Sequence, residues 1–355
     1  MSKDLFSEIV SDDNMYCAYR KTQRGNGKYK KDAILFAKDE TENLKQLQKE
    51  LIEGTYQFGR YEAFTVYEPK ERIINAPKYR DKIVQIAINN VIKEIYNPCF
   101  IYDSYASIDN KGTHKSADRI QHFMRKAKWM YGESVYIIKI DVKKFFYSID
   151  RDILKHLLSL KIECRKTLYL LFKIIDSAAT IDIIGLPLGN TLSQICANIM
   201  MNQVDQYAKR VLGLKFYVRY MDDIIIIEKS KEDAERTKDL VCKRIESINL
   251  MLNETKTSKF PLRQGVNAVG FKIHPTHKLL RNGSKKKIKR KTRKMKRLLV
   301  EGRLTKEKAE QMLNSWKGHA DNGNSHTFIN KLVEKNRHIF MNEKGTLKIK
   351  EAVLC

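Results

Sequence analysis

Two adjacent carboxylates, Asp222 and Asp223, stand between the apolar segments Phe216-Tyr217-Val218 and Ile224-Ile225-Ile226-Ile227. That pattern reads as a β-hairpin with the acids at its tight turn. Neighbouring carboxylates repel each other and gain nothing from a core. They are tolerable there when a cation sits between them and a further acid. Asp141, closing the strand-like run Val135-Tyr136-Ile137-Ile138-Lys139-Ile140, is the natural further acid. Two such strands side by side would bring Asp141 and Asp222 within reach of shared divalent cations. A pair of ions about 4 Å apart can activate a 3′-hydroxyl and stabilise a departing pyrophosphate. Mg²⁺ suits the set, since it takes oxygen ligands and few of them from protein. Taken alone, the Asp-Asp dipeptide is more simply a polar turn, because Asp is common in turns.

The elements around these acids are uneven in kind and spacing. Asn43 to Glu53 has helical spacing and stops at Gly54. Phe64-Thr65-Val66-Tyr67 and Arg72-Ile73-Ile74 read as short strands around the turn Glu68-Pro69-Lys70-Glu71. Asp81 to Tyr96 repeats apolar residues with helical period and ends before Pro98. Ser134 to Asp141 is too short and too β-branched for a free helix and reads as a buried strand. Asp150 caps a further helix, and Leu192 to Val211 forms another. Arg20 to Lys28 reads as a loop within a polar, basic opening segment. Strands interrupted by helices at irregular intervals indicate an α+β fold.

Charge decides the partner class. The 355 residues carry 68 Lys and Arg against 42 Asp and Glu, a net +26. Such an excess repels itself unless a polyanion neutralises it, which points to nucleic acid. No run of about 18 apolar residues is present, so no membrane partner is expected. Six scattered cysteines, without a CxxC spacing, argue against zinc and against a disulfide framework. With no secretory signal at the N-terminus, a cytoplasmic location is expected. Beyond His274 the chain turns basic and mostly helical. Between Arg281 and Arg297 lie eleven Lys or Arg and no acid, followed by helical stretches at Lys306 to Trp316 and Thr327 to Lys335.

Three ordered motifs carry a resemblance: Asp141-Val142-Lys143-Lys144-Phe145-Phe146, then Gly189-Asn190-Thr191-Leu192-Ser193-Gln194, then Tyr220-Met221-Asp222-Asp223. In order and spacing they resemble the palm of reverse transcriptases. The likeness runs from about Asn43 to about Phe340. It implies the right-hand polymerase fold: a basic extension (1–40), fingers (41–133), a catalytic palm (134–273), a helical thumb (274–340) and a tail (341–355). Asp141, Asp222, Asp223 and the Val142 carbonyl then resemble ligands of two Mg²⁺ ions, with Mn²⁺ as a substitute. Phe146 matches the aromatic wall that excludes a 2′-hydroxyl, whereas Phe145 reads as core. Lys70 and Arg72 resemble the fingers residues that hold the incoming triphosphate. Val142, Gly189 and Gln194 complete the implied deoxynucleotide contacts. Leu252-Asn253-Glu254-Thr255-Lys256-Thr257 resembles the motif whose lysine, here Lys256, can protonate pyrophosphate. Val269-Gly270-Phe271 is similar to a primer grip, and Tyr220 and Met221 fall in the primer-binding set. Lys286, Arg290 and Arg293 would track a duplex backbone and make binding salt-dependent.

The subtype rests on other residues. Nothing resembling an RNase H domain or a Cys/His nuclease follows the thumb, and the retron words NAxxH and VTG do not occur. Where related enzymes carry QGxxxSP, this chain reads Leu188-Gly189-Asn190-Thr191-Leu192-Ser193-Gln194. That version resembles the enzymes of diversity-generating retroelements. Asp103-Ser104-Tyr105-Ala106, Lys111-Gly112-Thr113-His114 and Ser315-Trp316-Lys317-Gly318-His319 agree with it. The resemblance implies error-prone cDNA synthesis on a template RNA, with misincorporation opposite adenine and a small basic accessory protein as partner. An antiphage-defence reverse transcriptase is the alternative, and a non-catalytic RNA-binding protein is a third reading.

Overall fold

The computed structural model describes residues 4–67, 71–177 and 184–337. Three helices open it: α1 (Leu5–Ile9), α2 (Asp12–Thr22) and α3 (Lys31–Lys38). Asp4 and Ser11 cap the first two through side-chain oxygens, satisfying free N–H groups of the first turn. Helix α4 (Glu40–Glu53) ends at Gly54. Strands β1 (Glu62–Val66) and β2 (Arg72–Ala76) pair antiparallel, with Val66 opposite Arg72. Helix α5 (Tyr79–Tyr96) follows and is buried on most of its circumference.

The opening segment corrects the loop expected from Arg20 to Lys28. Arg20, Lys21 and Thr22 belong to α2, and Lys28 to a 3₁₀ turn. Met15, Ala18, Tyr19 and Thr22 are buried at positions i, i+3, i+4 and i+7. The Asn14 amide donates to the Ala87 carbonyl of α5 at 3.0 Å. The Thr22 hydroxyl meets that of Tyr79 at 2.7 Å. A polar composition had concealed an amphipathic helix whose narrow apolar stripe docks on α5.

Helix α6 (Thr113–Tyr131) leads to β3 (Tyr136–Asp141). Four helices follow: α7 (Phe145–Ser148), α8 (Arg151–Ser159), α9 (Arg165–Asp176) and α10 (Thr191–Gln206). Asp150 caps α8 by accepting from the Asp152 and Ile153 amides, and Asn190 caps α10. A π-helical turn, Tyr207–Val211, prolongs α10, so the helix expected to Val211 changes register for its last turn. Then come β4 (Tyr217–Tyr220), β5 (Asp223–Glu228), α11 (Lys231–Glu246) and β6 (Ser258–Pro261). The sheet order is β4-β5-β3-β6. Ile224, Ile225, Ile226 and Ile227 are all buried, so β5 is covered on both faces.

Three three-residue strands, β7 (Val266–Ala268), β8 (Phe271–Ile273) and β9 (Lys278–Leu280), form an antiparallel sheet. Helices α12 (Asn282–Val300), α13 (Lys306–Ala320) and α14 (His326–Lys335) complete the described chain. The chain divides into two compact units. One comprises Met1–Asn110, Ile138–Ile226 and Glu235–Ser258; the other comprises Lys111–Ile137, Ile227–Ala234 and Lys259–Cys355. The second unit therefore holds a small sheet as well as helices. Strands this short offer too few alternations to be read from sequence.

Candidate active site

The hairpin of β4 and β5 pairs Tyr220 with Asp223 and leaves Met221 and Asp222 at its tip. Met221 adopts φ +56°, a left-handed conformation that side chains avoid. Neighbouring β3 brings Asp141 to the same end of the sheet. Lys139 of β3 forms an ion pair with Asp223 at 3.3 Å. Asp141 is nearly inaccessible, and its carboxylate accepts from Lys256 Nζ at 2.5 and 2.7 Å and from Asn253 Nδ2 at 2.9 Å. Burial, then Asp223 and Asp141 beside it, pushes the Asp222 carboxyl up to about 6, against the opposing pull of Lys256. Asp141, Asp222 and Asp223 are thus brought together, with Lys256 among them.

Backbone pairing fixes this geometry from the far side of Asp141. The Asn253 amide donates to the Asp141 carbonyl at 2.8 Å, and the Lys143 amide to the Met251 carbonyl at 2.8 Å. Val142 bridges antiparallel to Leu252 between those two bonds. A residue so placed turns its own carbonyl away from the partner strand. Among the described residues no group of three His, Cys, Asp or Glu side chains is arranged to hold a metal. Lysine ammonium groups face Asp141 and Asp223 instead. Carboxylate oxygens are nevertheless the donors a hard divalent cation takes, and Asp141, Asp222 and Asp223 would be the ones to hold it.

The other expected site residues are placed as follows. Phe145 is buried, and Phe146 is only half-buried, with ring centroids 5.6 Å apart. Arg72 is exposed at the start of β2, while Lys70 lies outside the described residues. Gly189 has φ +112°, and a Cβ there would lie 2.8 Å from the Asn75 carbonyl oxygen. The chain needs glycine at that point to let β2 approach, and the Asn75 amide donates to the Leu188 carbonyl at 2.7 Å. Gln194 is exposed on α10, its Oε1 accepting from the Ser107 hydroxyl at 2.9 Å.

In the second unit, Gly270 has φ +94°, and a Cβ would sit 3.1 Å from His319 Nε2. Phe271 is fully buried, its ring 4.9 Å from that of His319, so it supports the turn from within. His114 Nε2 and His319 Nδ1 meet at 3.0 Å, joining two segments singled out only as motif words. Burial, and secondarily His114, holds the His319 imidazolium below the usual range. Lys286, Arg290 and Arg293 are exposed on α12.

A family model described as reverse transcriptase (RNA-dependent DNA polymerase) matches residues 67–273. The chain belongs to that family. Its α+β architecture is accordingly that of the right-hand polymerases. Among curated relatives, the group II intron-encoded protein LtrA of Lactococcus lactis subsp. cremoris is 25% identical over 223 residues, 60% of this chain and 36% of LtrA. The putative COX1/OXI3 intron 1 protein of Saccharomyces cerevisiae is 25% identical over 320 residues, 72% of this chain and 38% of that protein. Protein YkfC of Escherichia coli is 26% identical over 286 residues, 68% of this chain and 72% of YkfC. The chain thus spans little more than a third of the first two. Telomerase from Candida albicans, solved with a fragment of telomeric RNA, has a TM-score of 0.48 at 13% identity, covering 64% of this chain and 46% of that one. No helix among the described residues is long and apolar enough to cross a membrane.

Sequence reasoning missed four residues of this site. Lys139 and Asn253 hold two of the acids, Ser107 holds Gln194, and Arg219 lies buried behind the acidic turn. Arg219 and Lys139 had left a signal, each a lone charge inside an apolar word, Tyr217-Val218-Arg219-Tyr220 and Ile137-Ile138-Lys139-Ile140.

Proposed function

We propose that this protein is an RNA-directed DNA polymerase, acting in the cytoplasm, that extends a primer on a template RNA. The observation that carries the reading is the convergence of Asp141, Asp222 and Asp223 at one end of the β3–β5 sheet, with Lys256 at hydrogen-bond distance. Asp141, Asp222, Asp223 and the Val142 carbonyl would hold two Mg²⁺, or Mn²⁺ as a substitute, which when bound supply activation of the 3′-hydroxyl and stabilisation of pyrophosphate.

The chain's own groups do the rest. Lys256 releases Asp141 as the nucleotide enters and gives a proton to the departing pyrophosphate. Arg72, with Lys70, binds the triphosphate. Phe146 stands against the sugar, so that a 2′-hydroxyl meets a rigid wall. Gly189 lets the backbone approach the nucleotide, and Tyr220 and Met221 seat the primer end. Lys286, Arg290 and Arg293 neutralise duplex phosphates, consistent with the +26 net charge.

The finer reading is the mutagenic enzyme of a diversity-generating retroelement, working with a small basic accessory protein. Leu188 and Gln194 carry it. The Ser107 hydroxyl donates to Gln194 Oε1 at 2.9 Å, leaving the Gln194 Nε2 donor free to face a base. Primer extension with Mg²⁺ on an RNA template tests the activity. Asp222→Ala should abolish cDNA while RNA binding persists; equal cDNA yield from the variant refutes the active-site assignment. Sequencing cDNA from a defined template tests the subtype, and uniform fidelity at all four template bases rejects it.

A further inference from the structure

The buried Arg219 has no part in the chemistry described above, yet among the described residues it is the largest fully buried side chain. Its Nε donates to Asp205 Oδ1 and Oδ2 at 2.8 and 3.0 Å, and its Nη2 to Oδ2 at 2.7 Å. Asp205, at the end of α10, is equally inaccessible and also accepts from the Tyr217 hydroxyl at 2.6 Å. The remaining nitrogen, Nη1, points elsewhere. It donates to Asn198 Oδ1 at 3.0 Å and to the Met221 carbonyl at 3.1 Å.

The Met221 carbonyl belongs to the left-handed residue immediately before Asp222. A non-glycine residue in that conformation persists only when its surroundings over-determine it. The backbone of Arg219 is itself pinned: its amide donates to the Asp103 carbonyl at 2.9 Å, and its carbonyl accepts from the Tyr105 amide at 3.0 Å. Asn198 in turn donates to the Ala106 carbonyl at 2.9 Å. A planar guanidinium is needed here. Two of its nitrogens saturate one carboxylate while the third reaches round to the turn, a geometry a lysine cannot reproduce. A buried ion pair adds little stability over an apolar replacement, so a role in fixing a conformation fits it better.

We propose that Arg219 is a positioning residue that clamps the Met221–Asp222 turn, with Asp205 and Asn198 fixing the clamp and the Asp103–Ala106 segment anchoring it. This rests on the assignment of Asp222 to the reacting centre.

The decisive variant is the double substitution Arg219→Met with Asp205→Leu, which removes both charges together and leaves no lone ion in the core. Arg219→Lys serves as the conservative partner, keeping the charge near Asp205 but losing the reach to Met221. The full chain is assayed for thermal midpoint, primer–template affinity, deoxynucleotide kcat and KM, and amide hydrogen exchange across Tyr217–Ile224. Both variants should bind primer–template within about threefold of the parent, while kcat falls on the order of tenfold to a hundredfold and KM changes little. Exchange at the turn should accelerate without metal or nucleotide present. A folded variant whose kcat stays within about twofold of the parent, with unchanged exchange at the turn, overturns the clamp. If the double variant does not fold, Arg219→Lys decides by the same criteria. An active Asp222→Ala control would instead overturn the active-site reading itself.

Discussion

Lys256 donates to both carboxylate oxygens of Asp141, 115 residues away in sequence, at 2.5 and 2.7 Å. The ammonium therefore occupies the position where a cation would approach Asp141. Two consequences of opposite sign follow for Lys256→Met. Removing the competing charge should tighten Mg²⁺ binding, read by calorimetric titration of the free protein. Removing the proton donor should lower kcat by about 10²-fold or more. Because Lys256 is substantially exposed, the pair contributes at most about 1 kcal/mol to stability. Weaker Mg²⁺ binding by the variant would contradict the competition.

The raised Asp222 carboxyl has a stability cost with a defined pH window. Its folded value of about 6 lies above the ordinary 3.8, so between those values the folded chain binds more protons than the unfolded. Stability is then lost as pH rises through the window, and the penalty is complete above about 6. Asp222→Asn should therefore stabilise the protein by about 1–2 kcal/mol at pH 8, discounted for partial exposure, and by next to nothing near pH 3. Thermal melts at the two pH values provide the check. A constant difference across pH would show that the gain has another origin.

Phe145 and Phe146 are adjacent but differ in surroundings. Phe145 is buried, so Phe145→Ala should destabilise by about 3–5 kcal/mol. Phe146 is half-buried, and Phe146→Ala should cost far less stability. Its expected effect is on discrimination: the kcat/KM preference for deoxynucleotides over ribonucleotides should fall on the order of 10- to 100-fold. An unchanged preference would remove Phe146 from the sugar site.

Gly189 meets two demands together, a left-handed φ of +112° and a 2.8 Å approach to the Asn75 carbonyl oxygen. Backbone cannot yield as a flexible side chain does. Gly189→Ala should destabilise by about 2 kcal/mol or more and loosen the β1–β2 hairpin. Faster exchange at the Asn75 amide, which donates to Leu188, would report that loosening directly. A variant as stable as the parent would show that β2 can retreat.

Local features were legible because they are written in short-range periodicity and turn chemistry. The β4–β5 hairpin, the β3 strand, the Asp150 cap and the end of α4 at Gly54 all follow from patterns of a few residues. The packed opening helices were legible in principle, since Met15, Ala18, Tyr19 and Thr22 keep helical spacing, but the abundance of charge masked it.

What the sequence by itself determined is the presence of three acids at strand ends, the order of their motifs and the basic character of the C-terminal helices. Only the tertiary structure decided what neutralises those acids: Lys256 and Asn253 at Asp141, Lys139 at Asp223. It alone joined Arg219 to Asp205, Asn198 and Met221, and Gln194 to Ser107. The reason is physical. Periodicity states which face of an element is buried, but not which distant residue will be there to meet it. For a buried charge that partner decides everything, since an ion removed from water is stable only against the counter-charge the fold brings to it.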